Sequence, residues 1–332
     1  HFVRPRFKSN IENVLLYMAN ECCRIPQCSC SEYNQKYLNA IKMFPGNIDM
    51  TKKTLDNWRT EIPALFGFYK EDKDADITET SQMAFFLHEN QDLTQFLRLF
   101  LYSFQFPGGH MKSVDIKDII FNNIKFKPAR TIIQVLMAGN SILSEQNSSK
   151  EMSMSAEEAT YCIFNDIRVT SGAVSANKIA QTILNNRKNK IKYYNPKDKN
   201  LRSLTGTPRT KGDVTRYAKD ILDYMEIANL LTTINGYYYL KGNEVAAIQK
   251  FKDDETWFNG YDSFYGKKNI ETIELTKIEP EWFEYVNNSM KPDLFKTDVQ
   301  AIFGQTGTID VVIDDRIKEV VSSDNRTMKD IG

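Results

Sequence analysis

The stretch DVTRYAKDILDYMEIANLLTTINGYYYL, residues 213–240, decides how the chain folds. Val214, Tyr217, Ala218, Ile221, Leu222, Met225, Ala228 and Leu231 recur in steps of three and four. That spacing predicts one long helix with a single buried face, capped by Asp213. Thr232 to Ile234 and Tyr237 to Leu240 flank Asn235-Gly236. Asn-Gly favours a type I′ turn, because both central residues need positive φ, so a hairpin follows the helix. Helix and then hairpin is the closing half of a winged-helix module.

Immediately upstream the charge is lopsided. Between Arg187 and Lys219 eleven lysines and arginines stand against Asp198 and Asp213, while the whole chain balances 43 bases against 43 acids. A local excess inside a neutral chain means one basic face. Lysines on such a face suit DNA phosphates, which supply affinity but no sequence information. The exposed side of the predicted helix starts with Lys211, Thr215, Arg216 and Lys219 and ends with Asp220, Asp223 and Glu226. Its own dipole favours the reverse order. A helix that pushes its N-terminal half toward phosphates and bases accounts for the inversion. An ordinary solvated helix is the plain alternative, and a solvated charge run is the alternative for the loop.

The same order of parts is expected once before. Residues 9–43 read as helices, and Thr51 caps a helix to about Ile62 with the stripe Leu55, Trp58, Ile62. Pro63 is expected to end or kink it at the preceding residue. Leu65 to Tyr69 then reads as a strand, Lys70 to Asp76 as a charged turn and Ile77-Thr78 as the return strand. Lys52, Lys53, Asp56, Asn57, Arg59 and Thr60 lie opposite the stripe. Arg reads guanine, Asn adenine and Asp cytosine, so this face is equipped for base readout. A polar surface holding an Asp56–Arg59 pair is the alternative. Arg4, Arg6 and Lys8 form a basic arm of the kind that lies in a minor groove, or a plain frayed terminus.

Further helical segments are expected at 83–87, 93–104, 129–138, 155–165 and 174–186, and Pro107-Gly108-Gly109 reads as a module boundary. Residues 251–303 are rich in aromatics and read as a helical connector. The expected fold is mainly α with small β wings. It comprises an arm and first winged-helix module over 1–109, a second over 110–250, the connector over 251–303, and a tail or start of a further domain over 304–332. Base contacts are expected from Lys53, Asp56, Asn57, Arg59, Arg209, Thr215 and Arg216. Backbone contacts are expected from Arg4, Arg6, Lys8, Lys52, Lys192, Lys197, Arg202, Lys211 and Lys219.

Several function classes are disfavoured. No apolar run approaches the ~18–20 residues of a membrane helix. Cys22, Cys23, Cys28 and Cys30 crowd together with no matching histidine pair, so free thiols in a reducing cytoplasm are expected rather than zinc. The chain opens at His1 rather than Met, so further residues are expected before it. No nucleophile elbow, phosphate loop or zinc-protease motif occurs. Glu71-Asp72-Lys73 matches the acid-x-lysine end of a nuclease motif, but it falls in the predicted turn and lacks the preceding acid.

Residues 50–62 (MTKKTLDNWRTEI), followed by Leu65-Phe66-Gly67-Phe68-Tyr69, resemble the first subdomain of BpuJI-like restriction endonuclease recognition domains. Phe104-Gln105-Phe106-Pro107-Gly108 and the segment 213–240 are similar to the later parts of the same family, and the FokI and AlwI-like enzymes share the layout. The resemblance covers most of residues 1–250. It implies a target-recognition module of a type IIS-like enzyme, reading a short asymmetric site on double-stranded DNA in a prokaryotic cytoplasm. It also implies a separate nuclease domain with magnesium, which is a candidate for dimerisation. No cofactor is expected for the residues in hand. A tandem winged-helix transcription regulator or replication initiator is the alternative, and a protein-docking scaffold a more distant one.

Overall fold

Thr210, not Asp213, starts the decisive helix. Its hydroxyl accepts the Asp213 backbone N–H at 3.2 Å, while the Asp213 carboxylate accepts the Thr210 N–H at 3.1 Å. This reciprocal capping box satisfies two orphan donors, and the helix spans Lys211–Ile227. Asn229, at φ 59°, closes it. The Asn229 N–H donates to Glu226 at 2.9 Å, and the Leu230 N–H to Met225 at 2.9 Å. These two bonds make a Schellman ending on a residue that tolerates the left-handed conformation. Ala218, Ile221, Leu222 and Met225 face inward as expected, but Tyr217 is exposed and Tyr224 holds the inward aromatic place.

A computed structural model describes residues 11–45, 47, 51, 55, 58, 62–195, 210–267, 269–289 and 291–295. The described chain is mainly helical with two small antiparallel sheets. Strands β1 (Tyr69–Asp72) and β2 (Ile77–Thr80) pair with Tyr69 opposite Thr80. Strands β3 (Ser153–Ser155), β4 (Leu231–Ile234) and β5 (Tyr237–Leu240) form a sheet in the order β3-β5-β4. Asn235 at φ 52° and Gly236 at φ 78° make the expected tight turn. Strand β3 was not anticipated, since three residues are too short to show a period.

Pro63 lies inside a helical run rather than just after one. Residues 62–66 are helical, so Leu65 and Phe66 are not strand residues. The ending comes at Gly67, φ 66°, where the Phe68 N–H donates to Pro63 at 2.8 Å. A side chain at Gly67 would also meet Val286 Cγ1 at 2.8 Å, so glycine is required twice over.

His1–Pro292 cluster as one compact unit and Asp293–Gly332 as another. Within the first, the sequence-order segments interlock. Phe66 packs on Phe100 at 4.6 Å and on Tyr224 at 5.9 Å between ring centroids. Buried Arg98 donates to the Ala228 carbonyl at 2.7 Å, a cation at the end of the Lys211–Ile227 helix. Lys127 is buried with Asp254 at 2.5 Å and donates to the Tyr102 carbonyl at 2.9 Å. The aromatic stretch after 251 does form helices, at Thr272–Thr276 and Glu279–Asn288. The second of these lies on β1, with Tyr69 and Phe283 centroids 5.4 Å apart.

Among the described residues all five cysteines are free. Burial pushes the Cys22 thiol up to about 12. No group of three or more His, Cys, Asp or Glu among the described residues could hold a metal. No helix there is long and apolar enough to cross a membrane.

Candidate nucleic-acid interface

Only part of the expected contact set falls on described residues. Lys192, Lys211, Thr215, Arg216 and Lys219 do. Arg4, Arg6, Lys8, Lys52, Lys53, Asp56, Asn57, Arg59, Lys197, Arg202 and Arg209 lie outside them.

The described bases of the Lys211–Ile227 helix each face a carboxylate. Lys211 pairs with Glu157, Arg216 lies 3.8 Å from Asp213, and Lys219 pairs with Asp223 at 2.6 Å. Thr215 departs from the expected exposed face. It is buried, and its hydroxyl donates to the Lys211 carbonyl at 3.0 Å. The period explains the correction: Thr215 sits three residues before Ala218 and seven before Leu222, on the inward stripe. The inverted charge order also weakens on inspection. Asp213 occupies the first turn and Arg98 answers the last carbonyls, so both ends carry the sign that the dipole favours.

Arg187, the first base of the upstream run, is an internal strut. Its guanidinium makes a two-pronged pair with Glu158, Nε to Oε1 at 2.7 Å and Nη2 to Oε2 at 2.8 Å. It also donates to the Ser153 carbonyl at 2.8 Å and lies over the Tyr237 ring at 5.6 Å. Glu158 in turn closes the capping box on Ser155. One side chain therefore ties a helix end to β3 and to the neighbouring β5. The fork geometry of arginine makes such a joint specific.

The helix that Arg187 anchors is Ala176–Lys188, with Ser175 as its N-cap. Ile179, Ala180 and Ile183 bury its inner face, which packs against the Pro128–Glu145 helix. Asn177, Lys178, Gln181, Thr182, Asn185 and Lys188 are exposed. No acid occurs between Asp166 and Asp198, so this outer face carries only amides, a hydroxyl and lysines. Sequence reading located the helix but not its face. The acid-free run was the available signal, masked by counting bases rather than missing acids.

The hairpin after the Lys211–Ile227 helix projects with an uncharged tip. Ile234 is 55% and Tyr237 41% exposed. Tyr238 turns inward, and its hydroxyl donates to Asp223 at 2.6 Å. The earlier hairpin is of another kind. Glu71, Asp72, Asp74, Asp76 and Glu79 make it acidic. Its two lysines are engaged, Lys70 with Glu284 at 2.7 Å and Lys73 with Glu279 at 2.6 Å. Glu71-Asp72-Lys73 thus belongs to a packed edge.

A family model described as the N-terminal part of the restriction endonuclease BpuJI matches residues 1–283. Among solved structures the chain is similar to the BpuJ1 endonuclease binding domain, determined in complex with pyrene- and phenanthrene-modified DNA. The TM-score is 0.70 at 23% identity, over 86% of this chain and 96% of that one. No curated protein matches the chain.

Proposed function

The chain belongs to the family of the N-terminal part of restriction endonuclease BpuJI, and from that premise we propose that it binds double-stranded DNA at a specific sequence, as the target-recognition part of a type IIS-like restriction endonuclease. The observation that carries this reading is the β3-β5-β4 sheet with its exposed hairpin, flanked by helices and by a run without acids. Helix, strand, helices and a closing hairpin, with the first strand paired to the last, is the winged-helix order. In this reading the second module presents that arrangement to the duplex.

The paired lysines do not oppose this role. Lys211 and Lys219 are more than half exposed, and surface pairs contribute at most ~1 kcal/mol. A phosphate can replace the carboxylate with little loss. Lys192 is exposed upstream of them, and Arg216 holds Asp213 only at 3.8 Å, so both are available for the backbone. The basic residues of 196–209 and the arm at Arg4, Arg6 and Lys8 fit the same task, and Asn57 and Arg59 remain proposed base contacts. Strand cleavage, with magnesium, is assigned in this reading to a nuclease domain of the whole enzyme, which also offers the dimer contact.

The test is selection from a duplex library with a randomised core, repeated across salt concentrations. Enrichment of one short asymmetric site is expected, with an affinity that falls steeply as salt rises. Binding that is salt-insensitive, or that enriches no sequence, would overturn the reading.

A further inference from the structure

We infer that the outer face of the Ala176–Lys188 helix, rather than that of the Lys211–Ile227 helix, reads the bases; this rests on the DNA-recognition reading above. Three observations carry it.

The first is chemical. Asn177, Gln181 and Asn185 step by four along one exposed line, with Lys178 and Lys188 beside them. Amide side chains pair two-pronged with adenine, lysine pairs with guanine, and neither chemistry is repelled by the duplex. The Lys211–Ile227 helix instead carries Asp213, Asp220, Asp223 and Glu226. Four carboxylates in the narrow space of a groove face phosphates on both sides.

The second is engagement. Each base on the Lys211–Ile227 helix has a carboxylate within 4 Å. Lys178 and Lys188 have none among the described residues, and Asn177, Gln181 and Asn185 make no side-chain hydrogen bond there. A face of unengaged donors and acceptors loses nothing when it meets a base pair.

The third is rigidity. Readout needs the reading side chains held to about half an ångström. The inner face of Ala176–Lys188 is buried on the long Pro128–Glu145 helix, and its C-terminal turn is fixed by the Arg187–Glu158 fork. Its N-terminus is fixed by Ser175. The side chains are free while the backbone beneath them is not.

The experiment repeats the randomised-duplex selection with the whole chain in three variants: Gln181→Ala with Asn185→Ala, Gln181→Glu, and Arg216→Ala. All positions are exposed or half-exposed, and circular dichroism confirms the fold of each. The alanine pair is expected to relax preference by about 5- to 150-fold at one or two base pairs with the salt slope unchanged. Gln181→Glu should abolish enrichment of the wild-type site. Arg216→Ala should weaken all sequences alike and lower the salt slope by about one. The inference is overturned if the alanine pair and Gln181→Glu select the wild-type site unchanged, or if Arg216→Ala alone relaxes a base preference. Failure of the wild-type chain to enrich any site would sink the recognition reading itself, and this inference with it.

Discussion

The two hairpins have strands of the same length and the same antiparallel pairing, yet they present opposite surfaces. The β1–β2 hairpin is charged, acidic and covered. The Glu279–Asn288 helix lies on it, and both of its lysines are held by that helix. The β4–β5 hairpin is uncharged and open, with Ile234 and Tyr237 facing out. Only the second presents a surface free of carboxylates. A strand-turn-strand pattern therefore marks a shape, and charge and cover decide its use.

The contrast is broken most directly by removing the cover. Phe283 is fully buried against Tyr69, so Phe283→Ala should cost ~3–5 kcal/mol. Tyr237→Ala should cost under ~1 kcal/mol. Urea unfolding of both variants checks the pair, and equal losses would erase the distinction.

Acid should loosen the covered side next. Trp282 of the cover packs on His110 at 5.6 Å between centroids. Neither ring nitrogen of His110 finds a partner among the described residues, and burial pushes the imidazole down to about 3. An unfolded histidine titrates near ~6.5. Above that pH the group is neutral in both states and contributes nothing. Below it only the unfolded chain takes the proton, so stability falls by ~1.4 kcal/mol per pH unit until about pH 3. His110→Phe should flatten that slope in denaturation measured at neutral and at mildly acidic pH.

The turn of the open hairpin offers a smaller lever. Gly236 sits at φ 78° with nothing near its missing side chain. Gly236→Ala should thus cost only the conformational penalty of ~1–2 kcal/mol, read as a drop in unfolding midpoint. The least change is expected from surface charge. Lys70→Ala removes a partly exposed pair and should shift stability by under ~1 kcal/mol without lowering DNA affinity. Lys192→Ala should leave stability alone and reduce the salt slope of binding by about one. Similar effects of both lysines on DNA would mean that the acidic hairpin touches it too.

Much of the architecture was legible, for reasons that are local. The 3.6-residue stripe in 213–231 and the Asn235-Gly236 pair specify a helix and a hairpin without reference to anything distant. What was not legible is long-range. Arg187 reads as one base in a run until folding sets it against Glu158. Lys70 and Lys73 read as a solvated turn until a helix some two hundred residues later reaches them. Pro63 suggested a stop or a kink, and residues 62–66 stay helical up to Gly67, where Val286 leaves no room for a side chain. Thr215 looked polar and therefore outward, but its position on the stripe outweighs one hydroxyl that a backbone carbonyl can satisfy. The acid-free face at 177–188 was visible in principle, since a missing residue type is as informative as an abundant one.

The lock between Lys70 and Glu284 has a consequence for how the molecule is made, since its partners stand 214 residues apart. The hairpin leaves the ribosome long before the helix that covers it. Through that interval Tyr69 and the surface around Gly67 lack their seal, and a partly built chain leaves uncovered the face that Phe283 and Val286 later close. The closing step waits on a very distant contact, the kind that slows folding most. Shortening the chain before residue 279 would leave that face without its cover permanently, so the Glu279–Asn288 helix governs solubility.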